Sequence, residues 1–121
     1  MGRGNKAEDL VRQFAETVVA QDACLERGDA RTGNRHARRR FAAFRKLRAM
    51  GDSGREALAV LLRDPRPTVR SMAAVYLLRY KTADALSVLR ELSKGRGMIA
   101  FGASEAIKRW EEGTWQLDPE D

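Results

Sequence analysis

Three kinds of side chain in this sequence are candidates for chemistry: the single histidine, the single cysteine and a dense run of arginine and lysine. His36 is the only histidine, which excludes a metal site built from several histidines. It stands among arginines, and we expect it to stay neutral and to be either solvated or structural. Cys24 is the only cysteine, so an internal disulfide and a cysteine-rich zinc site are both excluded. With no histidine beside it in sequence, Cys24 is predicted to pack in the core.

Other patterns typical of enzymes are missing as well. The segments GRG at 95–97 and GDSG at 51–54 lack the Lys-Ser/Thr ending and the preceding strand of a phosphate-binding loop. The acidic residues Glu105, Glu111 and Glu112 are scattered in a way typical of a solvated helix surface. The sequence therefore predicts a protein with no catalytic site, no cofactor and no metal.

The densest charge lies in RHARRRFAAFRKLR, residues 35–48, which holds seven Arg or Lys and no carboxylate. Residues 35–50 carry +7, which is more than the net charge of +6 of the chain, whereas residues 98–121 carry −4. The basic character is therefore one local patch rather than a property of the entire surface.

Plotted as a helix, this basic run separates into two sides. Phe41 and Phe44 fall on the apolar side, so we expect them to anchor the helix to a core. Arg40 and Arg48 project towards the same side, where we expect them to snorkel or to pair with acidic residues at the boundary with the first helix. The opposite side holds five cations, with Ala42 and Ala49 between them. We call this side the five-cation face, and its members are Arg35, Arg38, Arg39, Arg45 and Lys46.

Hydrophobic periodicity and helix-end signals predict an all-α fold of about six helices in three antiparallel hairpins. Gly28 is predicted to end the first helix, Asp64-Pro65 the third, and Pro67 to lie in the first turn of the fourth. The sixth helix is expected over residues 97–113. The residues predicted to cap helix N-termini are Asn5, Asn34, Ser53 and Thr82.

The length of 121 residues favours one domain, which is large enough to bury a core without disulfides or metals. We expect a helical domain over residues 6–113, a disordered segment at 1–5 and an acidic tail at 114–121. The first residues turn acidic before any apolar run, unlike a secretory signal, and no apolar run approaches membrane-spanning length. These features predict a cytoplasmic protein without a membrane partner.

The last two hairpins repeat. Shifting VRSMAAVYLLRY, residues 69–80, by thirty positions places it on IAFGASEAIKRW, residues 99–110. Apolar positions coincide, the alanines at 73 and 103 coincide, and Tyr80 falls on Trp110. A period near thirty predicts a helical repeat in which each hairpin packs against the next, with the first hairpin as a terminal cap.

The segment LLRDPRPTVRSMAAVYLL, residues 61–78, resembles a HEAT repeat. The matching features are an apolar first helix, Asp64 and a proline in the turn, then Val69-Arg70, a pair of alanines and an apolar run. The resemblance implies that Asp64 and Arg70 form a hydrogen-bonded ladder that orients successive hairpins. Gly95-Arg96-Gly97 replaces the Asp-Pro turn in the last hairpin, so a continuous ladder is not expected.

The layout of residues 9–117 also resembles a small bacterial HEAT-like family of unassigned function. The shared features are Gly28-Asp29 followed by Asn34, the Val-Arg-x-x-Ala-Ala segment that begins at Val69, and the Trp110 to Gly113 ending. This resemblance implies a fold and no activity.

Three interpretations of the five-cation face remain open: a solvated surface, a docking surface for an acidic protein or peptide, and sequence-independent binding of a nucleic-acid backbone by the helix at 35–48. The resemblance to HEAT repeats implies that the second helix of a hairpin lines a concave surface, which would place the face there. The cations that would extend it are Arg66, Arg70 and Arg96. Our leading hypothesis is a non-catalytic protein–protein interaction domain with an acidic partner.

Overall fold

The computed structural model describes residues 6–114, and every regular element within them is helical. The all-α, HEAT-like fold with six helices is confirmed. The predicted disordered segment 1–5, the predicted cap Asn5 and residues 115–121 of the predicted acidic tail lie outside the described residues. The elements are α1 (Lys6–Arg27), α2 (Ala30–Ala49), α3 (Asp52–Ala59) with a 3₁₀ turn (Val60–Arg63), α4 (Pro67–Leu77), α5 (Thr82–Ser93) and α6 (Gly97–Glu112).

The chain divides into two compact units at Leu61–Leu62. The first unit contains α1, α2 and α3, and its most extensive packing is between α1 and α2. Only two residues join these two helices, so they run antiparallel. The core of the first unit is formed by side chains that recur at helical spacing, among them Leu10, Phe14, Val18, Phe44 and Leu47.

The turn between α1 and α2 depends on Gly28 and Asp29. Gly28 has φ +75°, a left-handed conformation that glycine adopts without strain after a helix. Asp29 then caps α2 by accepting a hydrogen bond from the backbone N–H of Thr32 at 3.1 Å. The prediction that Asn34 caps this helix is wrong, because α2 begins at Ala30 and Asn34 lies one turn inside it.

Helix α3 approaches α2 very closely. A Cβ atom added at Gly54 would lie 1.8 Å from the carbonyl oxygen of Leu47, so only glycine fits at this crossing. The prediction that Ser53 caps α3 is wrong. The N-cap is Gly51, and the Ser53 hydroxyl instead donates to the Met50 carbonyl at 3.3 Å.

The second unit contains α4, α5 and α6, which all pack against one another. Thr82 was predicted to cap α5, and this is also wrong: Lys81 is the N-cap, and the Thr82 hydroxyl donates to the Leu78 carbonyl at 2.6 Å. Small residues permit close helix packing in the core of this unit, whose most deeply buried members include Val69, Ala73, Leu77, Ala85, Leu89 and Ala103.

The thirty-residue repeat reappears in the positions at which helices begin. Helices α3 and α5 begin at Asp52 and Thr82, while α4 and α6 begin at Pro67 and Gly97. The starts of α3 and α4 therefore each recur thirty residues later, at the starts of α5 and α6. Among residues 6–114, no helix combines the length and the apolar character that crossing a bilayer requires.

Candidate functional site

All five members of the five-cation face are exposed on α2. Within residues 6–114, the side chains of Arg35, Arg38, Arg39 and Lys46 have no hydrogen-bond, ion-pair or ring partner. The guanidinium carbon of Arg45 lies 6.0 Å from the centre of the Phe41 ring, a cation–π contact that holds this side chain against the helix. The face is therefore a set of cations that the described chain does not itself neutralise.

The structure adds Arg31 to this surface. Because α2 begins at Ala30, Arg31 lies in its first turn, exposed and one heptad before Arg38 on the same side. Arg31 was not predicted to belong to the face, because Asn34 was predicted to be the N-cap of this helix. The Gly28-Asp29 pair was the signal that could have found it, since a capping aspartate directly after a helix-ending glycine marks the next helix start. We call Arg31 together with the five-cation face the extended basic face.

The first half of α2 concentrates positive charge where a helix disfavours it. Its first turn contains no acidic residue, although the positive end of the helix dipole favours acidic residues there. Arg31 and Arg35 are four residues apart, as are Arg35 and Arg39. Each such like-charge pair destabilises a helix by roughly 0.2–0.5 kcal/mol, so this arrangement lowers the stability of α2.

A shallow depression of about 540 Å³ lies on the second half of the same surface. It is lined by Ala42, Arg45, Lys46, Arg48 and Ala49. The two exposed alanines leave the backbone of α2 open between neighbouring cations. This part of the face can accept an elongated anionic group between positive side chains.

The other two cations of the basic run face inwards. Arg40 is only 7% exposed, and its Nη1 donates to Oε1 of Gln21 on α1 at 2.6 Å. The guanidinium carbon of Arg48 lies 5.5 Å from the centre of the Phe44 ring. These contacts stabilise the first unit; Arg40 is removed from the exposed surface, whereas Arg48 is half-buried and lines the edge of the depression.

The aromatic side chains of α2 lie opposite the extended basic face, in the case of Phe44, or at its edge beneath Arg45, in the case of Phe41. Phe44 is 2% exposed and belongs to the core, and Phe41 is half-buried with its ring 6.4 Å from that of Phe44. Neither ring is placed to stack with a nucleic-acid base beside the exposed cations.

In the second unit, Arg66 and Arg70 are engaged in the turn before α4. The Asp64 carboxylate accepts from Nε and Nη2 of Arg66 at 2.8 and 2.9 Å, and also from the backbone N–H of Arg66. These hydrogen bonds lower the pKa of Asp64 and raise that of Arg66.

The Arg70 side chain contacts the backbone of the same turn. Its Nη1 donates to the Asp64 carbonyl oxygen at 2.9 Å, while the Asp64 carboxylate is occupied by Arg66. Asp64 and Arg70 are therefore linked inside one hairpin turn, and their role in a ladder between hairpins stays a prediction. Arg96 is exposed.

The two other candidates for chemistry are embedded in the first unit. Cys24 is 2% exposed, and Arg27 Nη2 donates to its sulfur at 3.3 Å. Nδ1 of His36 is buried and has no hydrogen-bond partner among residues 6–114. Across the described part of the chain, no group of three or more His, Cys, Asp or Glu side chains could hold a metal ion.

The comparison with protein families agrees with this architecture. The family model for HEAT repeats matches residues 30–106, from the first residue of α2 into α6. The chain belongs to the HEAT-repeat family. HEAT repeats are commonly protein-interaction scaffolds and are typically non-catalytic.

One solved structure is similar to this HEAT-repeat protein over nearly its full length. It is the crystal structure of the protein RPA1889 from Rhodopseudomonas palustris CGA009. The two chains are 25% identical, the similarity covers 96% of each, and the TM-score is 0.85. No curated protein matches the sequence.

Proposed function

We propose that this HEAT-repeat protein is a non-catalytic binding protein that recognises an acidic segment of another protein through the extended basic face. One observation carries the proposal. Five of the six cations (Arg31, Arg35, Arg38, Arg39 and Lys46) have no partner within residues 6–114, and the sixth, Arg45, is held only against a ring. Unpaired charge of one sign on one helix side favours a partner of opposite charge.

The charge pattern distinguishes this surface from one that serves only solubility. A helix that needs only to be solvated gains stability by alternating acidic and basic residues four positions apart. The exposed side of α2 instead places Arg31, Arg35 and Arg39 in series. Such a series lowers the stability of α2. A binding role explains why these arginines are present although the fold does not require them.

The same surface is poorly suited to nucleic acid. The exposed side of α2 offers no aromatic platform, since Phe44 is buried and Phe41 is half-buried under Arg45. Carboxylate groups on a protein require no base stacking.

The proposal is tested by measuring fluorescence anisotropy of two labelled probes with the full chain: a glutamate-rich peptide and a random-sequence DNA duplex of equal net charge. We expect saturable binding of the peptide at low salt and weaker binding of the duplex. Duplex binding tighter than peptide binding, with a log–log salt slope of about −5 for six phosphate contacts, would show that the face binds nucleic acid instead. Absence of peptide binding at low salt would also overturn the proposal.

A further inference from the structure

Five of the six cations of the extended basic face form two rows along α2, and the sixth, Arg35, lies between the rows. Arg38 and Arg45 belong to one row, and Arg39 and Lys46 belong to the other, with seven residues separating the members of each pair. Seven residues of helix span about 10.5 Å along the axis and return to nearly the same side. Arg31 extends the first row by one further heptad. The two rows of exposed charge on α2 therefore repeat with a seven-residue period.

A strip of small side chains separates the two rows. Ala42 and Ala49 lie on this strip, are both exposed and are also seven residues apart. They line the depression of about 540 Å³ with the cations on either side. Alanine at a helix crossing permits an interaxial distance near the short end of the usual 8–10 Å range.

We infer that the acidic segment recognised by this face is an α-helix that lies along α2, with carboxylates repeated every seven residues on both sides of its contact stripe. This inference rests on the proposed function. In a partner helix, residues seven apart lie about 10.5 Å apart on one side, which matches the spacing of the two cationic rows. In an extended segment, side chains on one side recur about every 6.6 Å, which does not match that spacing.

The contact of Arg45 with Phe41 adds to this complementarity. The cation–π contact at 6.0 Å restricts the Arg45 side chain before any partner is bound. Restricting a long side chain in advance lowers the entropy cost of the ion pair it forms on binding. One row is thus partly ordered at the edge of the alanine strip.

Three labelled peptides of about 21 residues, or about six helical turns, test the inference by anisotropy with the full chain. The first is an Ala/Gln helix that carries six Glu at heptad spacing, in two rows that flank one contact stripe. The second distributes the same six Glu evenly around the helix. The third is the first peptide with two central Ala replaced by Pro, which breaks the helix and keeps the charge. Circular dichroism establishes the helicity of each peptide.

We expect the heptad peptide to bind about tenfold more tightly than either of the others. Equal affinity of all three peptides would overturn the inferred helix while leaving recognition of an acidic segment intact. Tighter binding of the proline peptide would likewise overturn it in favour of an extended segment. Failure of all three to bind would contradict the proposed function itself, so the two failures are distinguishable.

A substitution within the alanine strip gives an independent test without changing charge. Ala42→Leu adds bulk at the predicted helix crossing and should weaken binding of the heptad peptide by about tenfold. Ala23→Leu is the matched control, because Ala23 is an exposed alanine of α1 outside the extended basic face. Unchanged affinity of Ala42→Leu, with a wild-type circular dichroism spectrum, would contradict close packing of a helix on this strip.

Discussion

The two sides of α2 use the same residue type in opposite ways. On the inner side, Arg40 is buried and bonded to Gln21, and the chain of α3 comes so close that Gly54 tolerates no side chain. On the outer side, arginines such as Arg35 and Arg38 are exposed and unpaired within residues 6–114. The charge of a helix therefore says little about function until each cation is assigned to a side. Changes on the inner side should alter stability, and changes on the outer side should alter binding.

The largest effect is expected where α3 crosses the inner side of α2. Gly54→Ala places a Cβ atom on the Leu47 carbonyl oxygen, so the helices must separate, and we expect a loss of about 3 kcal/mol or more in the free energy of unfolding. Urea denaturation measures this loss. Gly102→Ala is the matched control.

Gly102 lies inside α6, and no atom of the described residues comes within 4 Å of a Cβ added there. Alanine there should raise the free energy of unfolding by roughly 0.5–1 kcal/mol, because glycine is a weak helix former. Similar results for the two variants would contradict the close approach of α2 and α3.

The next effect concerns the buried arginine of the inner side. Arg40→Ala removes a buried hydrogen bond to Gln21 and the packing of a long side chain, and it should lower the free energy of unfolding by about 2 kcal/mol. Arg38→Ala, on the outer side of the same helix, should change it by less than about 0.5 kcal/mol. Equal losses in urea denaturation would remove the distinction between the two sides.

A stabilising substitution is expected at the start of the outer side. Arg31→Glu removes a like-charge pair with Arg35 and places a carboxylate at the positive end of the α2 dipole. It should raise the free energy of unfolding by about 0.5–1 kcal/mol and weaken binding of the acidic peptide. Arg31→Gln should give an intermediate result in both measurements. A variant that is less stable than the wild type would count against the unfavourable charge placement described for α2.

The smallest effect concerns acid stability at the cap of α2. The backbone N–H of Thr32 donates to Asp29 and lowers the pKa of this carboxylate below that of the unfolded chain. The contribution of Asp29 is therefore present above the unfolded pKa and is lost as the pH falls through the folded pKa. Asp29→Asn keeps a capping side chain that does not titrate.

Urea midpoints measured from neutral pH to about pH 2 compare the two chains. The wild type should lose more stability below about pH 4 than Asp29→Asn does. Parallel acid profiles would show that Asp29 does not contribute as a charged cap.

Much of this organisation could be predicted from the sequence, because it depends on local patterns. Apolar periodicity and the Gly28 and Pro67 signals located the helices, and the separation of Phe44 from Arg38 by side of the helix is visible in residue spacing. The exposure of the five-cation face agrees with that spacing, since helical geometry alone determines which residues share a side.

The features that were not predicted depend either on which of several similar capping residues begins a helix or on tertiary contacts. Asp29 and Asn34 are both good capping residues, and only the helix start in the structure selects Asp29, which brings Arg31 onto the face. Ser53 and Thr82 also have capping chemistry but donate to carbonyl groups instead. The need for glycine at position 54 comes from the α2–α3 crossing, which no local pattern reports.

The central claim is that the outer side of α2 binds an acidic partner, and charge-matched variants test it most directly. Arg38→Glu/Arg45→Glu reverses two cations of the extended basic face, and Arg79→Glu/Arg90→Glu reverses two exposed cations of the second unit with the same change in net charge. The measurement is the affinity of each full-length variant for the glutamate-rich peptide at low salt. We predict a loss of about tenfold or more for the α2 pair and a much smaller change for the control pair. Equal losses for the two pairs would show that binding follows net charge alone, and would contradict a specific site on α2.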